Sequence, residues 1–119
     1  MPKYVSIVGV GIDVVELEDM YKARFKKRVA EYFLTKKEIH TMPRGARRTQ
    51  FLASRFALKE AVIKAFPEKL SPLDFEISKK KNRPYVVFVS SRRNKKYSVF
   101  VSLTHTMHIA AAIAIIYVV

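Results

Sequence analysis

Three acid or base groups stand near the ends of the elements that the sequence predicts: Asp13 after a β-rich segment, Glu60 within a long helical stretch, and His105 just after an alternating run. Each has an ordinary reading. An Asp after Gly-Ile is commonly a helix cap or turn residue, Glu60 one turn before Lys64 reads as a helix-surface ion pair, and a His within Thr-His-Thr reads as a satisfied polar group. His40 and His108 have no metal-ligand spacing. Taken together, the groups suit different work. A hard cation such as Mg²⁺ takes oxygen ligands, keeps several waters and is commonly held by one or two carboxylates together with a substrate's phosphates. Asp13 and Glu60 can supply two carboxylates, while Lys64, His105 and the Arg47-Arg48 pair suit phosphate oxygens. No GxxxxGK[ST] or GxGxxG pattern occurs, so neither a P-loop nor a dinucleotide fold is indicated. With no cysteine in the chain, a thiolate nucleophile, a disulfide scaffold and Cys-based zinc or iron–sulfur sites are excluded.

The elements that must position these groups follow from periodicity. Residues 4–10 are β-rich, and extension through Asp13 puts Val5, Ile7, Gly9, Gly11 and Asp13 on one side, where the glycines leave room for a ligand or another backbone. Residues 16–33 are charged and helical in period, one or two surface helices. Thr35 with Glu38 three residues on reads as a capping box that starts another helix, which ends before the Pro43-Arg44-Gly45 turn. A loop carrying Arg44, Arg47 and Arg48 follows. Residues 50–66 run without Gly or Pro and stop at Pro67, the clearest helix in the chain. Leu52, Phe56 and Ile63 form one apolar face and Phe51, Leu58 and Val62 another, leaving a stripe with Ala53, Ala57, Glu60 and Lys64 that something can approach closely. From Leu73 to Ile77 the period is two. A basic turn over 79–83 leads through Pro84 to a strand ending at Val89, a polar turn over 90–96 leads to an alternating run from Tyr97 to Leu103, and residues 109–119 read as a buried strand. The expectation is one α+β domain over residues 1–119, with a mostly antiparallel sheet and a long central helix.

The chain has 119 residues, and 23 Lys+Arg against 10 Asp+Glu leave a charge of +13. That length buries a real core but leaves little for a second domain. The charge favours a polyanionic partner without choosing among nucleic acid, anionic lipid, a phosphorylated small molecule and an acidic protein. The apolar run at 109–119 is about half the length a membrane-spanning helix needs, and the N-terminus has no secretory pattern; a soluble, cytoplasmic protein without a membrane partner is expected. A basic nucleic-acid-binding module would use the same charge, but no such motif is present and Tyr and Phe fall mostly at core positions.

Three motifs in order along the chain resemble those of the holo-acyl-carrier-protein synthases, the small phosphopantetheinyl transferases. Gly9-Val10-Gly11-Ile12-Asp13-Val14-Val15-Glu16 is similar to their N-terminal G-[IV]-D segment. Arg55-Phe56-Ala57-Leu58-Lys59-Glu60-Ala61-Val62-Ile63-Lys64-Ala65 resembles their R-F-A-x-K-E-A-x-x-K-A helix, and Thr104-His105 resembles their [ST]-H segment before a final strand. The resemblance implies Mg²⁺-dependent transfer of 4′-phosphopantetheine from coenzyme A to a serine of apo-acyl carrier protein, with release of adenosine 3′,5′-bisphosphate, in fatty acid and lipid biosynthesis. It implies Asp13 and Glu60 as metal ligands and Glu60 as the group that helps remove the serine proton, directly or through a water. It implies Lys64 as the counter-charge to the pyrophosphate, Thr104, His105, Arg47 and Arg48 near the nucleotide and its phosphates, and Arg55 and Pro84 as the neighbouring subunit's contribution in a homotrimer. An acidic carrier and a phosphate-rich co-substrate also account for the charge. Three departures stand out. Pro67-Glu68-Lys69-Leu70 replaces the Gly-Thr-Gly usual after the helix, which leaves a carrier-binding scaffold without turnover as a further reading. Asn82-Arg83-Pro84 replaces Gly-Lys-Pro, where Asn tolerates the left-handed conformation. Asp19 stands where the carrier-docking helix often has Arg, with Arg24, Lys26, Lys27 and Arg28 following, so docking contacts are displaced or different.

Overall fold

The structure, a computed structural model, describes residues 4–23 and 27–119. The elements run β1 (Ser6–Glu16), α1 (Leu17–Ala23), α2 (Lys27–Phe33), α3 (Lys36–His40), α4 (Arg47–Ala65), a 3₁₀ turn (Pro72–Asp74), β2 (Phe75–Lys80), β3 (Arg83–Phe88), α5 (Ser91–Lys96), β4 (Ser98–His105) and β5 (Ile109–Val118). Both sheets are antiparallel, one ordered β1-β5-β4 and the other the β2–β3 hairpin. This is the expected mixture of helices and antiparallel strands. Arg24, Phe25 and Lys26 lie outside the described residues, as do the side chains of Lys27 and Arg28.

Helix α4 lies across the inner face of the three-stranded sheet, and small side chains set how close it comes. Ala53, Ala57, Ala61 and Ala65, one turn apart, are buried opposite a strand whose inward residues include Ala110, Ala112 and Ala114. A Cβ at Gly9 would lie 1.6 Å from the Ala65 carbonyl oxygen, and one at Gly11 would lie 2.1 Å from that of Ala61. The glycines of β1 therefore admit a helix backbone of the same chain. The closest approach runs through Ala61 and Ala65, and Glu60 and Lys64 lie beside it, not on its axis.

A register shift between Ile7 and Gly9 alters the expected alternation of β1. The extra residue carries Ile7 to the outer face beside Tyr117, whereas Gly9, Gly11, Asp13 and Val15 face α4 in register with Ile116, Ala114, Ala112 and Ala110. Three other elements also differ from expectation. Helix α4 begins at Arg47, so Arg47 and Arg48 form its first turn and not a loop; Gly45 at φ +75° makes the reversal, and the Arg48 amide donates to the Gly45 carbonyl. Residues 72–74 are a 3₁₀ turn held by reciprocal Ser71 and Asp74 bonds, which leaves Leu73 exposed and starts the strand at Phe75. Residues 91–96 are a short helix, because the Ser90 hydroxyl caps the Arg93 amide and the Asn94 side chain bonds both backbone groups of Phe88. The strand at the C-terminal end is as expected.

Behind α4, Phe66 meets the rings of Phe88 and Tyr97, and Phe75 meets Phe88, joining the hairpin to the core. The outer face of the sheet is different. Val10, Ile12, Val14, Phe100, Ile109 and Ile113 are exposed there, with Ile12 at 65 % and Phe100 at 64 %.

Candidate active site

Asp13 projects from the inner face of β1 at the flank of α4, where its Oδ1 lies 2.8 Å from Lys64 Nζ; the same ammonium donates to the Ile12 carbonyl at 3.2 Å. Asp13 is largely covered while Lys64 is half exposed. The hydrogen bond and charge of Asp13 raise the Lys64 pKa above the ordinary lysine value, and Glu60, one turn earlier on α4, pushes it the same way. Strand and helix thus pair Asp13 with Lys64, with Glu60 one turn earlier on the same helix. Among the described residues no group of three or more His, Cys, Asp or Glu side chains could hold a metal. In kind, two carboxylates such as Asp13 and Glu60 suit Mg²⁺, an ion that takes its remaining oxygens from water and phosphate.

A second set lies on the other flank of α4. A groove of about 930 Å³ is lined by residues that include Arg47, Gln50, Arg55, Lys79, Pro84 and His105. The Gln50 side-chain nitrogen lies 2.8 Å from His105 Nδ1 and 2.6 Å from Nε2, fixing the end of β4 to the first turns of α4. Arg55 is buried; its Nη1 donates to the Ile77 carbonyl at 2.7 Å and its guanidinium sits 4.8 Å from the Phe51 ring centroid. Desolvation pulls its pKa down, with the Glu38 charge opposing. Two predicted residues do not line this groove. Arg48 is half-buried in the first turn of α4, and Thr104 points to the outer face of the sheet, in register with Ala111, one residue before His105 on the inner face. Neither do Asp13, Glu60 and Lys64, so the two sets lie on different flanks of one helix.

Pattern reading gave Glu38 only a capping role and gave Lys59 none. Glu38 does complete the capping box with Thr35, and its other oxygen accepts from the Ile77 amide at 2.9 Å. Lys59, 1 % exposed, pairs with Glu38 at 2.8 Å and donates to the Pro72 and Phe75 carbonyls at 2.6 and 2.5 Å. Burial nevertheless lowers the Lys59 pKa. The available signal was a lysine amid the buried faces of a covered helix, which needs a partner. The loop after α4 is also tied down: Tyr97 donates to Glu68 Oε2 at 2.7 Å and Arg92 contacts Oε1 at 3.3 Å, and these bonds depress the Glu68 pKa.

A family model for the 4′-phosphopantetheinyl transferase superfamily matches residues 9–114. The chain belongs to that superfamily. The matched span includes Asp13, Glu60 and Lys64 as well as Arg47, Arg55, Pro84 and His105. It is 39 % identical over 118 residues to the holo-[acyl-carrier-protein] synthase of Bacillus subtilis strain 168, with 92 % of this chain and 95 % of that protein covered. The synthase of Listeria welshimeri is 40 % identical over 118 residues, covering 92 % and 98 %. Among solved members, the Bacillus anthracis synthase in complex with CoA (3′,5′-ADP) superposes with a TM-score of 0.83 at 30 % identity, covering 95 % of this chain and 98 % of that one. The Helicobacter pylori synthase in complex with coenzyme A gives 0.76 at 31 %, covering 90 % and 98 %.

Proposed function

We propose that this chain, a single domain, is a holo-[acyl-carrier-protein] synthase that moves 4′-phosphopantetheine from coenzyme A to a serine of an apo-acyl carrier protein, with release of adenosine 3′,5′-bisphosphate. The observation that carries the reading is the contact of Asp13 on β1 with Lys64 on α4, one turn after Glu60, within a span matched by the transferase family. Asp13 and Glu60 hold Mg²⁺, which when bound supplies positive charge to the pyrophosphate oxygens. Glu60, directly or through a water, takes the proton from the carrier serine as its oxygen attacks the phosphorus that bears the pantetheine. The new bond is serine oxygen to phosphorus; the bond that breaks joins that phosphorus to the bridging oxygen, which leaves with the adenosine bisphosphate. Lys64, held as an ammonium by Asp13, offsets charge growing on the leaving phosphate.

Arg47, Arg55, Pro84 and His105 belong to the other wall of the site, with Arg48 beside them in the first turn of α4 and Thr104 next to His105 on the opposite face of β4. Two half-sites on opposite flanks of α4 cannot meet within one chain, but a head-to-tail ring brings one chain's Asp13–Glu60–Lys64 set against the next chain's groove. The exposed apolar face of the β1-β5-β4 sheet supports such an assembly, and we assign it as a homotrimer. We place the reaction in the cytoplasm; no described helix is long and apolar enough to cross a membrane.

Intact-protein mass spectrometry of apo-acyl carrier protein incubated with the protein, coenzyme A and Mg²⁺ tests the reading. A phosphopantetheine mass gain is expected, abolished by chelator and by Asp13→Asn or Glu60→Gln. No gain across several carriers with folded protein would overturn transfer and leave a scaffold.

A further inference from the structure

We propose that Glu38 is a positioning residue for the transfer reaction: it fixes the backbone of Ile77 at the free edge of β2, and Ile77 in turn holds Arg55 in the groove that receives coenzyme A. This rests on the transferase reading and adds to it a residue that need not touch the substrate. In the β2–β3 hairpin, Phe75, Ile77 and Lys79 stand opposite Phe88, Val86 and Pro84. Proline has no N–H to give to a ladder, and successive antiparallel pairs alternate in their bonding, so the backbone groups of Phe75 and Ile77 face away from β3. Among the described residues no other strand pairs with β2. Three charged side chains cover the edge instead. The Ile77 N–H donates to Glu38 Oε2 at 2.9 Å, the Ile77 carbonyl accepts from Arg55 Nη1 at 2.7 Å, and the Phe75 carbonyl accepts from Lys59 Nζ at 2.5 Å. Glu38 and Arg55 thus take the two backbone groups of one residue, as an adjoining strand would.

Arg55 links that edge to the site. It lines the groove together with Arg47, Pro84 and His105, and its bond to Ile77 leaves further N–H donors of the guanidinium for an anion. A shift of Ile77 would carry the Arg55 acceptor with it, and Glu38 opposes that shift by holding the N–H of the same residue. Glu38 is itself held on its other oxygen, where Oε1 accepts from the Thr35 amide at 2.9 Å and from Lys59 at 2.8 Å. Because Lys59 offsets its charge, the carboxylate can stand beside a phosphate-binding groove without repelling the ligand. Desolvation lowers the pKa of both Arg55 and Lys59, and Glu38 opposes it at each. Glu76, the other carboxylate on the groove, accepts from the Thr35 hydroxyl at 2.5 Å. A buried ion pair is often no more stable than an apolar pair of the same volume, so stability alone does not account for Glu38 and Lys59. What they add is a fixed acceptor for Arg55.

The test is a double-mutant cycle read in the KM for coenzyme A and in kcat, with coenzyme A affinity measured by calorimetry in parallel. Glu38→Gln keeps the side-chain volume but cannot accept at both ends of the group. It is expected to raise the KM for coenzyme A about 10-fold and to leave kcat within about twofold. In an Arg55→Met background the same change should raise KM no further, because it acts through a group already lost. Lys59→Met/Glu38→Leu separates positioning from folding: its Tm is expected to exceed that of Lys59→Met, while KM stays high because nothing holds the Ile77 N–H. Return of KM to the wild-type value in that double variant overturns the proposal. So does a Glu38→Gln effect of equal size with and without Arg55, or one confined to kcat. Wild-type transfer by mass spectrometry is scored separately: its absence sinks the transferase reading, whereas the calorimetric cycle still reads whether Glu38 acts through Arg55.

Discussion

Lys64 is the point at which Asp13 and Glu60 act on a common charge, and its protonation reports on both. Asp13→Asn removes the negative charge that raises the Lys64 pKa and leaves only a neutral amide oxygen to accept the 2.8 Å bond. The Lys64 side-chain resonances followed by NMR against pH should therefore titrate closer to the ordinary lysine value in that variant. Because the pKa is raised on folding, the contribution of the pair to stability is complete below the ordinary lysine range and is lost as pH climbs through the raised value. The Tm deficit of Asp13→Asn should be present near neutrality and vanish in strongly alkaline buffer; a deficit that persists there would mean that Asp13 acts through packing. Glu60 has a different signature. In the proposed role of proton acceptor its loss is expected to cost about 100-fold or more in turnover, so Glu60→Gln should abolish most single-turnover transfer while carrier binding, read by anisotropy, is retained.

At the scale of elements, the site depends on how closely β1 lies on α4 and how α4 is locked to β2. A methyl at Gly9 would meet the Ala65 carbonyl oxygen at 1.6 Å, a contact that only movement of the strand relieves. Gly9→Ala is expected to cost about 3 kcal/mol and, at temperatures where the variant stays folded, to lower kcat by displacing Asp13 from Lys64. Thermal unfolding together with kinetics separates the two effects. Lys59→Met should cost about 3–5 kcal/mol in urea unfolding, since it strands the buried Glu38 carboxylate, and adding Glu38→Leu should recover part of that loss. Much of this arrangement is legible in sequence. The glycines of β1, the small residues of α4 and the Thr35–Glu38 capping box are local patterns; they put Asp13 on the face of β1 toward α4, but they put Glu60 and Lys64 in the close-approach stripe, which the structure gives to Ala61 and Ala65 instead. The bulge that turns Ile7 outward, the Lys59–Glu38 pair, 21 residues apart in the chain, and the Gln50–His105 contact depend on partners distant in sequence, and no periodicity encodes them. The helix at Ser91–Lys96 was hidden for a related reason: its polar composition reads as a turn until Ser90 and Asn94 are seen bonding the backbone on either side.

For the whole molecule, the deciding relation is between the two flanks of α4. A closed ring of identical chains repeats one interface, so a chain that gives its Asp13 side to one neighbour gives its groove side to the other. The apolar outer face of the β1-β5-β4 sheet is where a charge would oppose association: Ile12→Glu, at an exposed position, should leave the fold intact by circular dichroism, shift the molar mass by light scattering to that of a monomer, and remove transfer. A monomer that retains full activity would show that each chain holds a complete site. Subunit mixing tests the same geometry without disrupting assembly. Glu60→Gln breaks the carboxylate half-site, and Arg47→Ala/His105→Ala breaks the groove half-site. Each variant alone should be nearly inactive. When equal amounts are unfolded and refolded together, an interface regains function only where an intact carboxylate side meets an intact groove, so about one quarter of sites should recover by random pairing in a ring. Titration of one variant against the other should give a maximum near equal proportions. Mixtures no more active than their components, although mixed oligomers are seen by native mass spectrometry, would place both half-sites within a single chain and dismiss the interfacial site.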